Sequence, residues 1–288
     1  MAKKDCQWRV QDHTRYERLT GLFQPIGIFD SGIGGLSILK ALRVELPFED
    51  FIYIADSGHA PYGEREDAHV ITRSLAISKY LVKQNIKALV VACNTATAAA
   101  IDLLRATHPG LAIIGVEPAL KPAAAISRTK HIGVMATRGT LTSDKFKALL
   151  RSQAGSVKFT LQPCDGLADA IERSATTKNA TELIAACAEY TSAIGNFGIQ
   201  EGQIDTLVLG CTHYPFVEQH LRQLLGPNVQ VVETGEAVAR QTRRQIVANR
   251  DPTDAGKAKL FSTGDVQNLR AAGRAWLGLT GAPALLQI

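Results

Sequence analysis

Two stretches of this 288-residue chain, Ala88-Leu-Val-Val-Ala-Cys93-Asn-Thr95 and Thr206-Leu-Val-Leu-Gly-Cys211-Thr-His213, repeat one pattern. In each, an apolar, β-rich run ends at a small residue, then come a cysteine, short polar groups and a helical pattern. An unbroken apolar run bounded by turn signals reads as a strand buried on both faces, the kind found in parallel sheets under helices. Such a strand delivering a thiol to a helix N-terminus is a way to build a reactive cysteine. Made twice, it suggests two thiols facing one bound molecule from opposite sides. Opposed acid/base groups of equal strength suit inversion of a stereocentre by proton exchange.

Outward from these two runs the alternation continues almost throughout. Strands are predicted at Ile26–Asp30, Phe51–Ala55, Ala88–Ala92, Ala112–Val116, Ile132–Met135, Val157–Leu161, Thr206–Gly210, Val229–Val232 and Lys259–Ser262. Amphipathic segments between them include Ser37–Glu45, Ala68–Lys83, Thr95–Arg105, Ser143–Ser152, Thr181–Gly195 and Glu218–Leu225. The repeat also has matching openings, Ile26-Gly-Ile-Phe-Asp30-Ser31-Gly and Ile132-Gly-Val-Met-Ala136-Thr137-Arg-Gly139-Thr140. The expected fold is α/β, with two similar doubly wound parallel-sheet domains facing each other across an active-site cleft at the carboxyl ends of the strands. Residues 25–117 would form the first domain and 118–234 the second, crossing near Glu117–Pro122. Residues 235–288 would return to the first, and 1–24 would be an N-terminal extension.

Composition narrows the classes. With 45% hydrophobic and 20% charged residues the chain reads as a soluble globular protein with a sizeable core. The net charge of +5 is spread out, apart from Arg240, Arg243, Arg244 and Arg250, which read as a solvated helix face. A nucleic-acid partner is not expected, since that would need denser basic residues and aromatics. No run reaches the roughly 18 apolar residues of a membrane span, and Met1–Thr20 has no apolar signal core, so the expected location is cytoplasmic. Five cysteines (Cys6, Cys93, Cys164, Cys187 and Cys211) form an odd set with no tight pairing pattern. That argues against a disulfide scaffold and leaves Cys93 and Cys211 reduced.

A free thiol has a pKa of about 8.5, and a helix N-terminus lowers it by less than about one unit. The modest shift suits a pair in which one sulfur is the base while the other stays an acid. His213, two residues past Cys211, is either a core or capping histidine or a proton partner for the thiol. Cys-Thr-His is not ligand-pair spacing and no Cys-x-x-Cys accompanies it, so no metal is expected. Asp30-Ser31-Gly32-Ile-Gly34-Gly35 combines a tight turn with helix N-terminal amides that can hold a carboxylate or phosphate. With Asp56 after the next strand it also looks like a dinucleotide fingerprint, but Ser37 stands at the third glycine and Asp30 sits where pyrophosphate would. Pro61-Tyr62-Gly63 is either a plain turn or a lid that supplies Tyr62 and backbone amides. Ser31, Asn94, Thr95, Thr137, Thr140 and Thr212 are small donors at strand ends, able to bind carboxylates without arginine.

Four motifs in series now resemble a known family: Phe29-Asp30-Ser31-Gly32-Ile-Gly34-Gly35-Leu, Pro61-Tyr62-Gly63, Ala92-Cys93-Asn94-Thr95-Ala96 and Gly210-Cys211-Thr212-His213-Tyr214-Pro215. In order and spacing they are similar to the signatures of glutamate racemases, over the chain from about Pro25 onward. The cysteine motifs are shared with aspartate racemases, whereas Asp-Ser-Gly and the histidine of Cys-Thr-His-Tyr-Pro point to the glutamate branch. The resemblance implies racemisation of glutamate, as a supply of D-glutamate for peptidoglycan, by two bases and no cofactor. Cys93 would take the α-proton from the D enantiomer and Cys211 from the L enantiomer, assisted by Asp30 and His213 respectively. Ser31, Pro61, Tyr62, Gly63, Asn94, Thr95, Thr137, Thr140 and Thr212 would position the substrate. Two places depart from the family's pattern: Cys164-Asp165-Gly166 lacks the usual Cys-Pro, and Glu233-Thr-Gly stands where Asp or Ser is commoner. Glu172 falls where members often carry an acid, which makes it a secondary site candidate. Some members with an N-terminal extension are switched on by a cell-wall precursor, the candidate activator here; a homodimer is the candidate assembly. Two other readings remain open at this point: a nucleotide-dependent α/β enzyme using the glycine turn, and an amino-acid-binding module of two α/β lobes.

Overall fold

The computed structural model describes residues 24–288 except 154, 156, 178–180 and 249–254. The expected N-terminal extension up to residue 23, with Cys6, and also Arg250 lie outside the described residues. Ten strands form two parallel sheets. The first contains β1 (Ile26–Asp30), β2 (Phe51–Ala55), β3 (Ala88–Val91), β4 (Ala112–Gly115), β9 (Ala258–Ser262) and β10 (Ala284–Leu285), in the order β10-β9-β2-β1-β3-β4. The second contains β5 (His131–Ala136), β6 (Lys158–Pro163), β7 (Thr206–Leu209) and β8 (Gln230–Val232), in the order β6-β5-β7-β8.

The orders β2-β1-β3-β4 and β6-β5-β7-β8 are the same walk made twice, so the sequence repeat is also a repeat of topology. Register agrees: Phe29 pairs with Val91, and Met135 with Leu209. Continuing two residues sets Ser31 beside Cys93 and Thr137 beside Cys211. Both faces of the first sheet are covered. Ile26, Ile28, Ala88 and Val90 point into one apolar cluster, while Phe29, Leu89, Val91 and Cys93 point into the other. The two-residue period therefore places the Cys93 side chain with Leu89 and Val91, and that of Cys211 with Leu207 and Leu209.

Helices α1 (Leu36–Glu45), α2 (Asp67–Lys83), α3 (Asn94–Thr107), α4 (Leu120–Ile126), α5 (Arg138–Thr142) and α6 (Asp144–Ser152) come first along the chain. They are followed by α7 (Leu167–Thr177), α8 (Thr181–Ile194), α9 (Glu218–Leu225), α10 (Gly235–Gln245) and α11 (Val266–Leu277). Helix α10 packs on α1, and its Arg240 and Arg243 pair with Glu236 and Glu45 at the surface, as a solvated face should. No described helix is long and apolar enough to cross a membrane.

The start of the second sheet is tied down by Asp205, which is buried. Its carboxylate accepts from Ser127 Oγ (2.7 Å), Arg128 N (2.6 Å), Thr129 N (2.9 Å) and Thr206 Oγ1 (2.8 Å). Burial alone would raise its pKa, but these donors bring it below the ordinary value. A depressed folded pKa means that the contribution to stability is present above the unfolded value of about 3.9 and is lost as pH falls through the folded one. Asp205→Ala strands these donors and should cost about 1–3 kcal/mol in urea unfolding at neutral pH. The gap from wild type should narrow on acidification below about pH 4.

Candidate active site

Most sequence-predicted site residues, among them Asp30, Ser31, Cys93, Thr137 and Cys211, lie at or just past the carboxyl end of a strand, on the side where the two sheets face each other. A cleft of about 330 Å³ opens there. Its walls include Ser31, Cys93, Asn94 and Thr95 from the first sheet and Thr137, Cys211, Thr212 and His213 from the second. Pro61, Tyr62 and Gly63 close one side, and Glu172 of α7 closes another. Asp30 and Thr140 are not on the wall. Asp30 is fully buried beneath it, and Thr140 stands behind Thr137, to whose hydroxyl it is bonded at 2.9 Å.

Both sulfurs reach this one cleft, but they arrive differently. Cys93 is the N-cap of α3, and its sulfur accepts from the Ala96 amide at 3.5 Å. The expected helix N-terminus is missing at Cys211. There Pro215 lies in a 3-10 turn, Tyr214–Val217, which stands between the cysteine and α9. The expected modest lowering of the thiol pKa is also overturned at Cys93. Burial pushes this thiol well above its ordinary value, the nearby Asp30 charge adds to the effect, and the Ala96 amide offsets only part of it. Desolvation outweighs the helix terminus. The described cysteines, Cys93, Cys164, Cys187 and Cys211, form no disulfide.

The two sulfurs also keep different company. Cys93 Sγ lies 3.9 Å from Ser31 Oγ, above Asp30. Asp30 accepts from the Ser31 and Gly35 amides and, at 3.3 Å, from Thr212 Oγ1 of the other half. Burial raises the Asp30 pKa, while His213 and the hydrogen bonds pull it back in part. Cys211 Sγ lies 3.6 Å from His213 Nδ1, and His213 Nε2 lies 2.7 Å from Glu172 Oε1. Burial would lower the His213 pKa, but the Cys211 sulfur and the Glu172 carboxylate overcome it and hold the ring well above the ordinary value. Of the two readings of His213, the one as proton partner fits this geometry.

The glycine turn has a reason that the sequence did not disclose. A Cβ on Gly32 would collide with Glu172 Oε1, and one on Gly34 with the His213 ring. The Ile33 amide, where a pyrophosphate would dock, donates instead to Glu172 Oε1 at 2.6 Å. A carboxylate in that place excludes the dinucleotide reading, because it repels phosphate and already holds the donor. Tyr62 differs from expectation too. Its hydroxyl donates to Asp56 Oδ2, so its one proton is committed away from the cleft. Burial would raise the Asp56 pKa, but Arg73, Tyr62 and Thr263 hold it below the ordinary value. At the seam between the halves, Thr95 Oγ1 and Thr137 Oγ1 meet at 3.1 Å.

Ser57, Cys164 and Asn268 are among the wall residues that escaped the sequence reading. Asn268 follows Ser262-Thr-Gly-Asp265, a strand end and polar turn like Asp30-Ser31-Gly32; that likeness is the signal that could have found it. Asn94 Oδ1, Asn268 Oδ1 and Ser57 Oγ are buried without a hydrogen-bond partner. Unpaired polar atoms on a cleft wall are sites for a ligand's own polar groups. Among the described residues no group of three His, Cys, Asp or Glu side chains is set to hold a metal.

Residues 38–242 match the Asp/Glu/Hydantoin racemase family. A glutamate racemase of Ectopseudomonas mendocina is 46% identical over 253 residues, covering 86% of this chain and 92% of its own. A crystal structure of a Bacillus anthracis glutamate racemase superposes with a TM-score of 0.79 at 28% identity, covering 93% of this chain and 98% of that one. The Escherichia coli glutamate racemase, in a crystal structure with L-glutamate and the activator UDP-MurNAc-ala, gives 0.78 at 27% identity over 91% of this chain and 97% of that one. By sequence motif, fold and these likenesses, the chain belongs to the Asp/Glu/Hydantoin racemase family, on its glutamate racemase branch.

Proposed function

We propose that this protein interconverts L- and D-glutamate by proton exchange at the α-carbon between Cys93 and Cys211, with no cofactor. The observation that carries the reading is that both sulfurs line one cleft, each with its own partner: Ser31 and Asp30 at Cys93, His213 and Glu172 at Cys211. Burial holds Cys93 as a thiol in the resting site, ready to give a proton. That is the state suited to the L enantiomer. The substrate's ammonium would bring positive charge toward Asp30 and Cys93, offsetting the desolvation that opposes a thiolate there. Amides and hydroxyls of Asn94, Thr95, Thr137 and Thr212 would hold the carboxylates and stabilise the carbanion-like transition state.

On the same reading the enzyme works in the cytoplasm and feeds D-glutamate to peptidoglycan. A cell-wall precursor like the one bound by the Escherichia coli relative is the candidate activator, and a homodimer the candidate assembly. Polarimetry with L-glutamate and L-aspartate, chelator present and nothing added, tests activity and substrate together. Optical rotation should decay to zero with glutamate. Unchanged rotation with glutamate would end this reading, and faster decay with aspartate would reassign the substrate.

A further inference from the structure

Helix α11, from the C-terminal part of the chain, brings Asn268 to the cleft wall. Asn268 Nδ2 donates to Glu172 Oε2 at 3.2 Å. The other carboxylate oxygen, Oε1, holds the Ile33 amide at 2.6 Å and His213 Nε2 at 2.7 Å. Glu172 is therefore gripped from the glycine turn, from the Cys211 loop and from α11. A carboxylate only accepts, so the amide's NH2 must face it and the amide oxygen must turn away. That oxygen, Asn268 Oδ1, is buried without a partner. A buried, unpaired carbonyl oxygen lowers stability, and an apolar side chain would be free of that penalty. Among the described residues, the one bond the amide makes is the bond to Glu172 Oε2.

We infer that Asn268 is a positioning residue: by holding Glu172 Oε2 it fixes the Glu172–His213–Cys211 relay. With Oε2 released, the carboxylate can rotate about its last bond, and the ring it orients no longer holds Nδ1 on the sulfur. The relay then loses the 3.6 Å contact between His213 Nδ1 and Cys211 Sγ, while the Ser31–Cys93 side is untouched. Other charged groups on this wall are Glu64, Arg138, Asp165, Asp169, Arg173 and Asp265. Arg173 pairs with Asp169 at 2.6 Å. The inference rests on the racemase reading.

Two variants test it on the full-length protein, after wild type has racemised glutamate; a wild type without activity would refute the racemase reading itself. Asn268→Leu should lower kcat/KM about tenfold, the worth of one hydrogen bond to a charged group. Since the two enantiomers are equal in energy, that loss must be equal in both directions. The α-deuterium effect separates the sides. It should rise with L-glutamate, where proton removal by Cys211 becomes slower, and fall with D-glutamate, where removal by Cys93 is unimpaired. Asn268→Asp puts two carboxyls together, so one of them binds a proton more tightly than usual. Its activity relative to wild type should recover as the pH is lowered, because a protonated Asp again donates to Glu172 Oε2. A general loss of packing would give neither signature. Wild-type kcat/KM in Asn268→Leu, isotope effects that move alike for both enantiomers, or an Asp variant whose relative activity is flat with pH would each overturn the inference.

Discussion

Cys93→Ala and Cys211→Ala should each lower glutamate racemisation on the order of 10³-fold, within the range by which a positioned general acid or base speeds a reaction. Each variant keeps the walls of the cleft and loses one proton carrier. Racemisation needs both carriers, so neither remaining sulfur can compensate. Exchange with solvent needs only one. In heavy water, Cys93→Ala should still wash deuterium into L-glutamate without inverting it, because Cys211 can remove and return a proton on its own face. Cys211→Ala should do the same with D-glutamate. The pattern is read by mass spectrometry and chiral separation of recovered substrate. Near-normal racemisation by either variant would refute two-base exchange.

The second large effect is expected from a methyl group. Gly34→Ala places a Cβ 2.3 Å from His213 Nδ1, and Gly32→Ala places one 1.9 Å from Glu172 Oε1. Neither glycine has a positive φ, so the backbone itself accepts alanine. What must move is the opposing side chain or the turn. Overpacking of this kind costs typically about 1–3 kcal/mol. The larger consequence falls on catalysis, because a displacement of about 1 Å at a reacting group can cost on the order of 10²-fold in rate. We expect kcat for both variants to fall by about that factor, with a much smaller change in the urea midpoint. Full activity in Gly34→Ala would show that the ring can retreat without loss, and His213 would then have no role in orienting Cys211.

The parts of this molecule legible in its sequence are those governed by short-range pattern. Runs such as Leu89–Val91 and Leu207–Leu209 could only be strands with both faces covered, and the echo of Cys93 at Cys211 gave the repeat away. What was not legible depends on contacts between distant segments. Gly32 and Gly34 looked like a phosphate turn because the sequence could not reveal that Glu172 and His213 press against them. Helix α10 has few apolar residues, and its buried stripe of Val238, Ala239 and Thr242 is too thin to announce a helix. Asn268 is one polar residue in an ordinary helix until α11 is docked beside α7. The Cys93 thiol was misjudged for a related reason: helix-end effects can be read locally, whereas desolvation belongs to the whole packed interior.

The twin strand orders of the two sheets have a consequence for handedness. A doubled architecture relates its halves by rotation, and rotation never turns an object into its mirror image. The two forms of an amino acid are mirror images. Identical halves would therefore offer each hand of the ligand a mismatched reception, however well the sulfurs were placed. The surroundings of the pair have to differ where the scaffold is the same, and they do: an acid and a hydroxyl attend one thiol, an imidazole backed by a carboxylate attends the other.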